Sequence, residues 1–200
     1  MYTPGVNRIE DPDLILDLMR RYSFATIVSV ADGAPIATHL PILVEPGDPV
    51  TLYGHIARAN SHWRSLAAGS NCLAIFAGPH GYISPRWYEN APSVPTWNYV
   101  SVHASGHSEV IEDEAQALDH LEKMISTFDP TLAEGQPESI DRAYLKRLLP
   151  GIAVFKITVD HIDAKAKLSQ NKPEEDRLRV KEQCLTSTEP DYQAMGHMMS

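Results

Sequence analysis

Two cysteines among 200 residues, Cys72 and Cys184, allow neither a disulfide framework nor a CxxC motif. No apolar run approaches the ~20 residues of a membrane-spanning helix. The start, Met-Tyr-Thr-Pro-Gly-Val-Asn-Arg, lacks the cationic and apolar segments of a secretory signal. A soluble cytoplasmic protein is therefore expected. Basic residues are scarce, 17 against 26 acidic, for a net charge of -9. That balance argues against a bulk cationic surface for nucleic acid, so a DNA contact would need a local patch or a partner. No lysine precedes Lys123. Absent too are GxGxxG, a phosphate loop ending Gly-Lys-Ser/Thr, GxSxG and HExxH. His107-Ser108-Glu109 matches H-x-E, but no P-C-x-x-C follows, which excludes a zinc deaminase.

What is present is an ordinary globular composition, 43% hydrophobic and 22% charged. Asp11-Pro12 reads as a helix N-cap followed by proline at the first helical position, with Leu14, Ile15 and Leu18 on one face over 12–21. Phe24–Ala31 and Ile36–Val44 flank the turn Asp32-Gly33, a hairpin signal. Pro41 marks an edge or bulge, since it cannot donate to a ladder. Further strands are expected at Val50–Ile56, Asn71–Ala77 (resuming to Ser84), Trp97–Ile111 with a bend at Gly106, and Ile152–Val159. Helices are expected near 114–128, 139–149 and 173–183, with a short one opened by Asn60 and a frayed tail. Strands joined mostly by tight turns imply antiparallel pairing. The expected class is α+β: an antiparallel six-stranded barrel with peripheral helices. The whole chain, 1–200, reads as one domain with a C-terminal helical appendage from about 173.

Five histidines lie mid-chain: His55, His62, His80, His103 and His107. His103 and His107 fall on one strand, roughly 13 Å apart, too far to share an ion. Surface or hydrogen-bonded histidines are the expectation, and no metal site is assigned. Cys72 sits in an apolar strand, where thiols are usually inert. The aromatic, proline-rich stretch Gly81–Tyr88 and Val94–Val100 suits either the wall of a planar-ligand site or a dimer interface. Two segments can bind an anion. Gly54–Asn60 places Arg58 where a strand gives way to a helix. Lys167–Lys172 packs two ammonium groups, a hydroxyl and two amides into six residues, or else is a solvated loop leading to the Pro173 helix.

Taken in order, Ala37-Thr-His-Leu-Pro-Ile42, Gly54-His-Ile-Ala-Arg-Ala-Asn60 with Trp63, Gly78-Pro-His-Gly-Tyr-Ile-Ser-Pro85, Val94-Pro-Thr-Trp-Asn-Tyr99 and Lys167-Leu-Ser-Gln-Asn-Lys172 resemble the PaiB family. These are FMN-binding split barrels regarded as negative transcriptional regulators. The resemblance spans nearly the whole chain. It implies a six-stranded split β-barrel like that of pyridoxamine phosphate oxidases, and a homodimer with FMN at the subunit interface. Carried over by position, Thr26, Ile27, Val28, Thr38, His39 and Leu40 would line the flavin ring. Arg58, Ala59 and Asn60 would meet the phosphate or ribityl chain. Tyr82, Ser84, Trp97 and Asn98 would arrive from the other subunit, and Lys167, Ser169, Gln170 and Asn171 would add polar contacts. No further glycine-rich phosphate loop follows Trp63, so the phosphate site would rest heavily on Arg58.

Three functions follow as alternatives. The first is a regulatory FMN-binding module. The second is an FMN-dependent oxidoreductase or flavin reductase, with His39 as the side chain nearest the expected ring. The third is a heme-binding or heme-degrading split barrel. No helix-turn-helix is evident, and residues 109–141 carry ten carboxylates and one lysine, so nucleic-acid binding is possible in principle but unsupported by charge. No membrane contact is expected.

Overall fold

A computed structural model describes residues 1–90, 92–133 and 141–199. Along the chain run α1 (Pro12–Arg21), β1 (Phe24–Ala31), β2 (Ala34–Pro41), β3 (Leu43–Glu45), β4 (Thr51–Ala57), α2 (His62–Ala67) and β5 (Asn71–Ile83). These are followed by β6 (Thr96–Val110), α3 (Glu114–Phe128), α4 (Pro130–Ala133), α5 (Arg142–Leu148), β7 (Ile152–Lys167), α6 (Glu174–Leu185) and α7 (Pro190–Met198). The seven strands form one sheet in the order β2-β1-β5-β6-β7-β4-β3. β1 pairs antiparallel with β2 and β5, and β4 with β3 and β7.

Local chemistry sets several of these elements. The Asp11 carboxylate accepts from the Asp13 and Leu14 amides and starts α1, with Pro12 behind it. Asp113 accepts from Gln116 N and starts α3. Asp32 and Gly33 adopt φ of 51° and 77°, the left-handed pair of a two-residue hairpin turn.

The sheet has seven strands, not six. The segment 36–44 reads as one strand, but Ile42 divides it: its amide donates to Ser23 O as the last bond of the β1–β2 register, and Leu43 onward pairs with β4 instead. Pro41 just before it stands opposite Phe24 at a non-hydrogen-bonded position, so its missing N–H faces away from β1, where an edge strand needs no donor. β2 thus ends one edge of the sheet order and β3 begins the other, with a single residue between them. Two edges joined by one residue require this part of the sheet to curl back on itself.

The chain divides into two compact units. One comprises Met1–Tyr22, Phe76–His103 and Ile162–Ser200. Its buried side chains include Met19, Phe76, Ile83, Val180 and Met195. The expected frayed tail is instead α7. Met195 is fully buried, and the Tyr192 hydroxyl donates to Tyr82 O at 2.9 Å. A side chain at Gly81 would strike Tyr192 and Met195 at 2.7 Å, so the glycine is what admits this helix.

The other unit comprises Ser23–Ile75 and Ala104–His161. Ile27, Ile42, Leu52, Ile56, Leu66, Phe155 and Ile157 are buried in it. Leu118, Leu121 and Leu145 form a satellite cluster under α3 and α5. The first residues of the helix expected over 139–149 lie outside the described residues; its described part is α5. Gly106 marks no break in β6. A Cβ there would stand 2.0 Å from Thr158 O, so glycine permits close approach of β7's backbone.

Candidate functional site

The pleat of the β1–β2 hairpin sorts the expected ring-lining residues onto two faces. Thr26 stands opposite His39 and Val28 opposite Ala37, whereas Ile27 stands opposite Thr38 and Ala25 opposite Leu40. Directly opposed residues in an antiparallel pair share a face. Thr26, Val28 and His39 therefore look out with Phe24, whose ring lies 6.2 Å from the His39 imidazole. Ile27, Thr38 and Leu40 face the other way. One planar ring cannot touch all six side chains from a single face.

On the inward face, Thr38 belongs to a polar cluster. Its hydroxyl lies 2.8 Å from His62 Nδ1 and accepts from Asn60 Nδ2 at 3.2 Å. His62 Nε2 lies 2.9 Å from Ser29 Oγ, which is 2.8 Å from Ser65 Oγ. Asn60 Oδ1 accepts from the His62 amide at 3.1 Å, which fixes the orientation of the Asn60 side chain. His62 is 0% exposed, and burial lowers its pKa below the usual histidine value. A cleft of about 440 Å³ adjoins this cluster, lined by Val30, Asp32, Ile36, Ser61, Arg64 and Ser65 among others.

Arg58 and Arg64 sit with their guanidinium carbons 5.0 and 5.3 Å from the Trp63 ring centroid. Trp63 is held in turn by its indole N–H donating to Arg58 O at 3.0 Å. Arg58 Nε donates to Ile152 O at 2.9 Å, which leaves its terminal amino groups to serve a ligand. Among the described residues neither guanidinium meets a carboxylate within ion-pair distance. Arg58 lines a separate cleft of about 220 Å³ with Glu112, Glu114 and Leu149. α2 is only six residues long, so its amides are not counted as an anion site; Ala59 lies exposed in the turn before it.

The expected residues of the first unit cluster separately. Tyr82 and His80 flank Trp97, with ring centroids 6.4 and 5.8 Å away. Tyr82 and Trp97 are both exposed. Ser84 accepts from Arg86 N and caps a short 3-10 turn. Asn98 is fully buried and donates to Ser169 Oγ at 3.0 Å. Lys167 Nζ donates to Thr96 Oγ1 and to Trp97 O. Gln170 folds back, accepting from Leu168 N and donating to Ala166 O. Much of the polar content of Lys167–Lys172 thus shapes its own loop, with Ser169 at φ 64° and Asn171 left exposed.

Sequence reasoning missed Ser29, His62 and Ser65 as partners. One signal was available: Ser29 lies in phase with the buried Ala25 and Ile27 of β1. The remaining histidines have varied partners. His55 Nδ1 and His120 Nε2 are 3.2 Å apart, and His107 pairs with Asp160 at 2.7 Å. No group of three or more His, Cys, Asp or Glu able to hold a metal occurs among the described residues. Burial raises both thiol pKa values to about 11, as expected for inert cysteines.

An FMN carries a dianionic phosphate, a hydroxylated chain and a flat ring with hydrogen-bonding edges. Two guanidinium groups at Trp63, without carboxylate partners among the described residues, and the hydrogen-bonded Thr38 and Asn60 side chains are groups of the kind such a cofactor needs. The family model described as "Putative FMN-binding domain" matches residues 1–161. The chain is 36% identical over 203 residues to the protease synthase and sporulation protein PAI 2 of Bacillus subtilis, covering 100% of this chain and 96% of that one. Among solved structures it is similar to the flavocytochrome Anf3 of Azotobacter vinelandii, with TM-score 0.65, 18% identity, and 85% and 74% of the two chains covered. It is similar also to the FAD and heme binding protein of Mycobacterium smegmatis, with TM-score 0.65, 20% identity, and 86% and 78% covered. These two likenesses show a shared fold, and the family-model match over residues 1–161 with the relative matched over the whole chain goes further: the chain belongs to the PaiB-type FMN-binding family.

Proposed function

We propose that this protein is a homodimeric FMN-binding split barrel that works in the cytoplasm as a flavin-dependent negative transcriptional regulator. The observation that carries the flavin part is that Arg58 and Arg64 both stand over the Trp63 ring, while Asn60, between them in sequence, bonds Thr38. Arg58 and Arg64 hold the phosphate. Thr38 and Asn60 present hydrogen-bonding groups to the rest of the cofactor. The bound flavin supplies an electron acceptor and donor that protein side chains cannot provide.

The outward face of the β1–β2 hairpin supports the dimer. Phe24 is 66% and Val30 58% exposed, an apolar strip bordered by Thr26, Val28 and His39. In the first unit the exposed Tyr82 and Trp97 offer a second aromatic surface of the kind that interfaces favour. The relative PAI 2 is named for protease synthesis and sporulation, which favours a regulatory role over dedicated catalysis. α3 carries Glu114, Asp119 and Glu122, so DNA contact would run through another surface.

The test is FMN titration of purified protein, followed by absorbance and fluorescence quenching, with sedimentation analysis of the same sample. Saturation at one FMN per chain in a dimer supports the reading. A monomer that takes up no FMN refutes it. A gel shift at low and high salt then addresses the regulatory part, since phosphate contacts weaken steeply with salt. Rapid anaerobic bleaching by NADH or NADPH would instead favour a flavin reductase.

A further inference from the structure

One proton order runs through the whole buried cluster around His62. Besides Ser29, the Ser65 hydroxyl reaches two acceptors, Val30 O at 3.1 Å and Ser70 Oγ at 3.4 Å, and it spends its proton on that side. Val30 and Pro35 form a non-hydrogen-bonded pair of the hairpin, so Val30 O points away from β2. Ser65 Oγ must therefore accept from Ser29, which spends the Ser29 proton. Ser29 Oγ must then accept from His62 Nε2, so the neutral imidazole carries its hydrogen on that nitrogen. His62 Nδ1 is left as an acceptor, and the Thr38 hydroxyl donates to it. Thr38 Oγ1 accepts in turn from Asn60 Nδ2, whose orientation is fixed by Asn60 Oδ1 accepting the His62 amide.

We infer that His62 is a positioning residue, and that this one-directional chain from Asn60 through Thr38, His62, Ser29 and Ser65 to Val30 O makes Thr38 a pure acceptor toward bound ligand. With its proton committed to His62 and one lone pair to Asn60, Thr38 keeps a single lone pair for the site. The position selects a ligand group that donates, an N–H or O–H, and disfavours a carbonyl or phosphate oxygen there. The ligand-facing half rests on the flavin reading above; the proton order does not.

The two halves separate experimentally. Long-range proton–nitrogen NMR of the flavin-free protein, with His62 assigned by its loss in His62→Gln, reads the tautomer. A pyridine-type Nδ1 and a pyrrole-type Nε2 at neutral pH are expected. A protonated Nδ1, whether as the other tautomer or as imidazolium, overturns the chain. FMN titration then reads the ligand-facing half. Thr38→Val removes the lone pair at constant shape and should weaken FMN about tenfold. Thr38→Ser keeps the oxygen and should bind within about threefold of the parent. Equal affinity of Thr38→Val and the parent overturns the acceptor role. If the parent itself takes up no FMN, the flavin reading fails and the role of Thr38 with it, while the NMR result still decides the proton order.

Discussion

The imidazoles of His55 and His120 meet edge to face, with Nδ1 of one 3.2 Å from Nε2 of the other. His120 is 4% exposed, and its Nδ1 has no hydrogen-bond partner among the described residues. Burial is the main cause holding its pKa down at about 4 against an ordinary 6.5, with the charges of His55 and Lys123 adding to it. Glu45, Tyr53, Asp119 and Lys123 line the small cavity of about 140 Å³ that His120 faces. Between the two pKa values the unfolded chain holds the extra proton and the folded chain does not. The neutral pair therefore contributes full stability above pH 6.5, and that stability is lost as pH falls toward 4. The difference is about 2.5 pH units, at about 1.4 kcal/mol each, or about 3 kcal/mol in all. Burial lowers the His55 pKa as well, so this figure is the loss for the His120 proton alone. His120→Phe keeps the ring volume and removes the titration. Urea unfolding of both proteins between about pH 7 and pH 4 gives the test, since carboxylate titration is common to both and cancels in the difference. The parent should lose about 3 kcal/mol more than the variant across that range. Parallel stability curves would refute the reasoning.

Gly106→Ala should destabilise by about 3 kcal/mol in denaturant unfolding, because its Cβ would meet the backbone of Thr158 and Val159, which cannot swing aside. Gly5→Ala, with open space around it, serves as the control, and an equal effect at both positions would sink the argument. Arg58→Ala should weaken FMN by about tenfold or more, and Arg64→Ala by a similar factor if both guanidinium groups share the phosphate. An unchanged Kd in the Arg58 variant would move the phosphate elsewhere. Cys72 and Cys184 should stay unreactive toward a thiol reagent at neutral pH until the protein unfolds; rapid labelling of the native protein would contradict their burial.

The elements that the sequence reveals are those whose causes lie within a few residues. Asp11-Pro12 starts α1, Asp113 with Gln116 starts α3, and Asp32-Gly33 turns the first hairpin, each through contacts at short range. The ordered motifs likewise made the family legible, because they are strings read along the chain. Strand number was not legible, because the division at Ile42 depends on one half pairing with β1 and the other with β4. α7 was missed because its weakly patterned sequence gains a buried side only once Gly81 of β5 and Leu185 of α6 stand against it. The candidate site shows the same division. Thr38, Arg58 and Asn60 stand out as residue types in motifs, yet which face Thr38 takes follows from register alone. His62 meets Ser29 across 33 positions and His55 meets His120 across 65, distances over which local sequence carries no record of pairing. Sequence alone determined the family, the local caps and turns, and the residue types available for a flavin. Tertiary structure decided which of them share a face, which are consumed by one another, and which way the protons run, because each of those depends on strands brought side by side.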